Sequence, residues 1–373
     1  IFVAPPVMAI ISNDAVPGCA PLDVQFTNMC TGAASYLWNF GDGTTSTDAS
    51  PTHFYVNLTS SIQTMTITLT ASSAAGCSVS TQQNIIVYPA PQFSFTANPD
   101  SGCSPLNVTF PSVLGAVSYL WTFGDGSAGS GPTPLHTYLN TTDSVVHYQV
   151  KLIATNAFGC YDSTFSTVTV FPLPTVLFNI DQVTGCHPLI ATLHNNSQGA
   201  STYHWTYGDG FSSDTTAVAH AHAWYNFTGP DTSTYPVMLT GTTDRGCSAN
   251  ASSQVQVYPN VSAAFTSDSL GCSPLSIHYI NVSSGATSYY WAFGDGGGSV
   301  AVSPQHTFTN EGLNATTFHP MLVATSAFGC ADTAYTAITV HPAPIAQFMA
   351  SPATGCPPLP VNFQDLTIGA SAM

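Results

Sequence analysis

Ten cysteines, twelve histidines, seventeen aspartates and one glutamate are the side chains of this 373-residue sequence that can act as nucleophiles, metal ligands or proton carriers. Their order along the chain decides which of those chemistries is open. A histidine stands ten residues beyond each of four Gly-Asp-Gly triplets, at His53, His136, His220 and His306. One per stretch, they build no shared metal centre and read as satisfied core or turn residues. His220 and His222 share one face of a strand, yet two ligands without a supporting cysteine or carboxylate fall short of a zinc site. The sequence holds no His-Glu-x-x-His, no Gly-x-Ser-x-Gly and no phosphate-cradling loop. Asp42, Asp125, Asp209 and Asp295 each lie between two glycines, where a carboxylate accepts the backbone N–H groups of its own turn. Their other use is calcium binding, which needs about six to eight oxygens, and these stretches offer few further carboxylates. The reading is no enzyme, with no cofactor except calcium as the alternative.

Charge narrows the partners. Lys151 and Arg245 are the only cations, and the formal net charge is −16. Gripping nucleic-acid phosphates or an anionic membrane needs clustered Lys and Arg, and neither is available here. No apolar run reaches the roughly 20 residues of a spanning helix, so no membrane insertion is expected. Disorder is disfavoured by 44% hydrophobic and 11% aromatic residues. Abundant Thr, Val, Tyr and Phe beside a single glutamate, Glu311, point to strands. The cysteine content points to an oxidising, extracellular or cell-surface location.

The elements that position these residues repeat. Trp-x-[Phe/Tyr]-Gly-Asp-Gly begins at Trp38, Trp121, Trp205 and Trp291, with spacings of 83, 84 and 86 residues. A Gly-Cys pair precedes each tryptophan and a second follows it. The repeats are placed at 5–88, 89–171, 172–258 and 259–341, after residues 1–4 as the end of a preceding repeat. Residues 342–373 begin a fifth, which stops where its tryptophan is due, so the sequence reads as cut from a longer array at both ends. Within a repeat, Tyr148, Val150, Leu152 and Ala154 alternate with polar neighbours, as do Met65, Ile67, Leu69 and Ala71. That is the period of a half-buried strand. About seven short strands per repeat predict an antiparallel β-sandwich. The tryptophans belong in its core, each N–H needing one partner.

Trp-x-Phe-Gly-Asp-Gly, then Pro-x-His-x-[Tyr/Phe], then Tyr-x-Val-x-Leu resembles the polycystic kidney disease (PKD) domain. The resemblance covers all four repeats and the fifth stub. It implies an all-β fold of tandem immunoglobulin-like sandwiches arranged in a rod, of the kind common in extracellular proteins. The flanking Gly-Cys pairs resemble PKD arrays on surface proteins of Bacteroidota.

The cysteines read as staples within each repeat: Cys19–Cys77, Cys103–Cys160, Cys186–Cys247 and Cys272–Cys330, separated by 58, 57, 61 and 58 residues. Cys356 then awaits a partner beyond the given sequence. Cys30 has no counterpart, with Ser197 and Ser283 falling near its place. Asn-x-Ser/Thr occurs nine times, at Asn57, Asn107, Asn140, Asn195, Asn226, Asn250, Asn260, Asn281 and Asn314. Ser144, Ser163, Thr215, Ser269 and Thr333 follow aspartate in a pattern resembling a Bacteroidota O-glycosylation signal. The function expected is a structural or adhesive surface rod, glycosylated and forming part of a fibre. Its expected partners are other copies, end to end or within a longer array, and surface glycans. An accessory spacer or carbohydrate-binding region of a secreted hydrolase is the alternative.

Overall fold

The computed structural model describes residues 6–369. Strands are the only regular secondary structure among them, and no helix is long and apolar enough to cross a membrane. The chain divides into two compact units. The first runs to Pro174 and takes in Thr243–Cys247, and the second holds Thr175–Thr242 and the residues from Ser248 onward.

In the first unit, the strands Ile11–Asn13, Leu22–Asn28 and Thr52–Tyr55 form one sheet. The facing sheet has the order Gly18–Cys19, Ser78–Tyr88, Gln63–Ser72, Ser35–Asn39, Thr45–Ser46. All pairings are antiparallel except that of Gly18–Cys19, which runs parallel to the end of Ser78–Tyr88. Alternation makes this sandwich: Met65, Ile67, Leu69 and Ala71 turn inward while Thr66, Thr68 and Thr70 turn away. Val24, Phe26, Trp38, Phe40 and Tyr55 complete the core. The same plan recurs around Trp121, where Ala116–Thr122 sits between Ala128–Ser130 and Val146–Asn156.

The second unit repeats the plan around Trp205 and Trp291. The third repeat differs in its inward row. Gly241 takes the inward place of Ala71 and Ala154, because a Cβ there would lie 2.9 Å from Val176. The stub contributes one hairpin, Phe348–Ser351 with Asn362–Asp365.

All four motif tryptophans are fully buried. Trp38, Trp121 and Trp291 donate their N–H to the carbonyls of Asp48, Gly131 and Ala301, each at 3.0 Å. The N–H of Trp205 has no protein acceptor among the described residues.

Candidate functional site

Each Gly-Asp-Gly turn closes on a histidine. Gly41 has φ of +81°, and a Cβ at that position would lie 2.6 Å from the Thr66 carbonyl oxygen, so only glycine fits. Asp42 Oδ1 then accepts the Thr44 N–H at 3.0 Å and its hydroxyl at 2.6 Å, while Oδ2 meets His53 Nε2 at 2.7 Å. Asp125 does the same with Ser127 and His136, the latter at 2.7 Å. Asp295 pairs with His306 at 2.6 Å. Each imidazole lies flat on the aromatic ring just before its turn, Phe40, Phe123 or Phe293, with centroids 4.0–4.1 Å apart.

The third repeat differs in which histidine does this. The partner of Asp209 is His222, at 2.8 Å, rather than His220, which stands ten residues beyond the turn. The loop after this turn is two residues longer, which shifts the count from the turn, whereas His-x-aromatic ending in Trp224 keeps its place. His220 bonds the Tyr207 hydroxyl at 2.7 Å. These carboxylates are thus taken up by their own turns and histidines. Among the described residues no three His, Cys, Asp or Glu side chains converge as a metal site would need.

Burial pushes the Asp125 carboxyl up, but hydrogen bonds from Ser127 and His136 outweigh it and hold the group below its ordinary value of 3.8. Asp42 and Asp295 are held low for the same reasons. A carboxyl depressed in the folded state stabilises the fold above its unfolded value, and that contribution is lost as pH falls through the folded value. Asp125→Asn is therefore expected to cost most at neutral pH. Urea unfolding of both proteins at pH 7 and at pH 2 should show the gap shrinking in acid.

A buried asparagine fastens the far end of each repeat. Asn57, Asn140, Asn226 and Asn310 are 0%, 7%, 1% and 8% exposed. Their amides donate to the carbonyls of Val87, Val170, Val257 and Val340 at 2.8–2.9 Å. Three of these are Asn-x-Thr sites, so in the folded chain the asparagines are inaccessible to an N-linked glycan. Their threonines complete the turn, as Thr59 and Thr142 do by donating to the asparagine Oδ1 at 2.7 Å. Asn140→Ala would remove the amide donor from the Val170 and Ser144 carbonyls, of which Ser144 keeps the Thr142 hydroxyl at 3.0 Å. It should destabilise the fold by about 1–3 kcal/mol, read by urea unfolding. Of the O-linked candidates, Ser144, Ser163 and Ser269 are exposed, while Thr215 and Thr333 are half-buried.

The cysteines pair across repeats, not within them. The disulfides are Cys19–Cys160, Cys103–Cys247 and Cys186–Cys330, with Cα–Cα distances of 5.5–5.6 Å. Cys77 and Cys272, expected to be stapled to Cys19 and Cys330, are unpaired, as are Cys30 and Cys356. Strand geometry gives the reason. Cys19 pairs with Tyr88 at the end of Ser78–Tyr88, and Cys77 immediately precedes that strand. Eleven extended residues separate the two by roughly 35 Å, far beyond the reach of a disulfide. A cysteine at the strand's end instead meets the hairpin-tip cysteine of the following repeat.

Each bond lies inside one compact unit, the second because Thr243–Cys247 belongs to the first unit. A side chain two residues before each tip cysteine seals the joint. Phe158 stacks on Tyr88 at 5.4 Å, the Arg245 guanidinium lies 5.3 Å over Phe171, and Phe328 stacks on Tyr258 at 4.7 Å. One of the two cations in the chain thus serves a joint between repeats. Cys30 has a separate role. Its Sγ accepts the Ile10 N–H at 3.4 Å, as the Ser197 and Ser283 hydroxyls accept those of Leu177 and Ala264, both at 3.1 Å.

The PKD domain family matches residues 3–87 and 89–171. Collagenase ColA of Bacillus cereus is 47% identical over 60 residues, which is 16% of this chain and 6% of that protein. The chain therefore spans a small fraction of that relative's length. Among solved structures, a Ca2+-stabilised adhesin with which an Antarctic bacterium binds ice is 13% identical. It covers 91% of this chain and 99% of its own, with a TM-score of 0.30. The ICAM-5 D1–D4 ectodomain fragment is 9% identical, covering 91% of this chain and 100% of its own, with a TM-score of 0.41.

Proposed function

We propose that this chain is a non-enzymatic structural segment of an extracellular fibre, a semi-rigid rod of PKD-like repeats that other copies or further repeats extend. The observation that supports it is the run of disulfides from each repeat to the next. Such bonds form in an oxidising compartment, and they limit bending at the joints in a way that a staple inside one repeat does not. Short proline-bearing linkers, such as Tyr88-Pro89-Ala90-Pro91, act in the same sense. Glycans on the exposed Ser144, Ser163 and Ser269 would hydrate a surface with few charges, and the intact mass reads them directly. Small-angle scattering tests the rod. An elongated particle that becomes more flexible when its disulfides are reduced is the expected result. A compact particle, or one whose scattering is unchanged by reduction, contradicts it.

The collagenase match over 60 residues supports a second reading, an accessory region of a secreted hydrolase. That reading predicts that the purified chain co-sediments with insoluble collagen, whereas the structural reading predicts that it stays in solution.

A further inference from the structure

Two histidines of the third repeat stand where other repeats place groups that do not titrate. The first is His187. In the second and fourth repeats a serine hydroxyl accepts the backbone N–H of the turn asparagine, Ser104 from Asn140 and Ser273 from Asn310, both at 2.9 Å. In the third repeat His187 Nδ1 accepts the Asn226 N–H, also at 2.9 Å. Only a lone pair can accept, so this bond exists while the imidazole is neutral. The second is His220. Elsewhere a ring four residues past a leucine packs on the motif tryptophan: Phe26 on Trp38 at 5.3 Å, Phe110 on Trp121 at 5.2 Å and Tyr279 on Trp291 at 5.1 Å. The third repeat has Leu193 at that place, and the His220 imidazole lies against Trp205 instead, at 5.0 Å. Its Nε2 bonds the Tyr207 hydroxyl, which also bonds the Ser213 hydroxyl at 2.6 Å. Its Nδ1 is buried with no partner among the described residues, as is the Trp205 N–H. A second proton on His220 would set a charge and an unanswered N–H against the core.

We propose that His187 and His220 make the third repeat an acid-sensitive link, which mild acid loosens while the other three repeats hold. Burial lowers the pKa of both below the ordinary 6.5, and for His220 the neighbouring His222 adds to this. A histidine depressed in the folded state takes up its proton first in the unfolded chain. Its contribution to stability is therefore full above 6.5 and falls as pH drops below that value. The surroundings work in the same sense. Beside His220 are Tyr207 and His222, and the Asp209 carboxylate is held by His222. Beside His187 are the rings of Tyr225 and Phe227, at 5.7 and 4.6 Å. Asp231 stands on the turn there, and its carbonyl accepts the Asn226 amide; the Tyr235 hydroxyl is bonded to the Tyr225 carbonyl. The His222–Asp209 pair has a counterpart in every repeat, so it does not set the third apart.

The test does not depend on the reading of the chain as a fibre segment. Hydrogen exchange of the disulfide-bonded chain at pH 7 and pH 5, corrected for the intrinsic pH dependence of exchange, reads the opening of each repeat separately. Peptides from the third repeat should open about tenfold more readily at pH 5, with those of the other three changed far less. His187→Ser follows Ser104 and Ser273, and His220→Phe puts a phenyl ring against Trp205. Each should remove part of the change, and the two together should abolish it. If His220→Phe does not fold, nuclear magnetic resonance of the unaltered chain with labelled histidines still decides, because His187 and His220 should both titrate below 6.5. Equal opening of all four repeats at pH 5, a third-repeat change that survives in the double variant, or either histidine titrating at or above 6.5 would overturn the proposal.

Discussion

Pulled from its two ends under oxidising conditions, the chain should extend to only about a quarter of its covalent length. Cys19–Cys160 and Cys186–Cys330 carry load past everything between their ends. The shortest covalent route through the described residues uses 6–19, 160–186 and 330–369, about 80 residues or roughly 280 Å fully extended. With the disulfides reduced, the same chain should reach roughly 1,250 Å. Staples within each repeat would give a different limit, because the segments from Cys77 to Cys103, Cys160 to Cys186 and Cys247 to Cys272 would all stay in the load path. Single-molecule force spectroscopy with and without reductant reads the difference as contour length. Thermodynamics should follow the mechanics. Closing a loop with a sequence separation of 144 stabilises the fold by about 5 kcal/mol in the chain-entropy treatment. Replacing Cys103 and Cys247 together by serine should therefore lower the urea midpoint markedly while leaving the other two bonds intact.

Trp121→Ala should be the costliest single core substitution in the second repeat, at about 3–5 kcal/mol. The side chain is fully buried. It contacts Phe95 edge-on at 4.9 Å and Phe110 at 5.2 Å. Its N–H is the partner of the Gly131 carbonyl, so alanine leaves both a cavity and an unpaired acceptor. Urea unfolding followed by circular dichroism should show a new early transition for this repeat alone, since the neighbouring cores around Trp38 and Trp205 are separate clusters. A loss under 1 kcal/mol would mean that the tryptophan is not the centre of its core.

The sandwich was legible in the sequence because its signals are local. Alternation at Met65, Ile67, Leu69 and Ala71 names the inward face directly. A tryptophan followed by Gly-Asp-Gly marks both a central strand and the turn that ends it. The disulfide partners were not legible, because spacing says how much chain lies between two cysteines and not at which end of a strand each one stands. The deciding fact, a parallel edge pairing that puts Cys19 beside Tyr88, is tertiary. That His222 and not His220 matches His53, His136 and His306 was hidden for a simpler reason. Counting from the turn fails across a two-residue insertion, while counting back from the buried aromatic, as in His53-Phe54-Tyr55, would have found it. Asn57, Asn140 and Asn226 read as glycan acceptors by their triplets. Their recurrence at one place in each repeat was the signal of a structural turn, and Asn310 holds that place without the threonine.

The cross-repeat disulfides are what distinguish a clamped array from domains on a string, and they are open to direct measurement. The chain can be alkylated without reduction, cut with a protease that does not depend on Lys or Arg, and its linked peptides identified by mass. The structure predicts peptides joining Cys19 to Cys160, Cys103 to Cys247 and Cys186 to Cys330, with Cys30 alkylated. Peptides joining Cys19 to Cys77, Cys103 to Cys160 and Cys186 to Cys247 would contradict it.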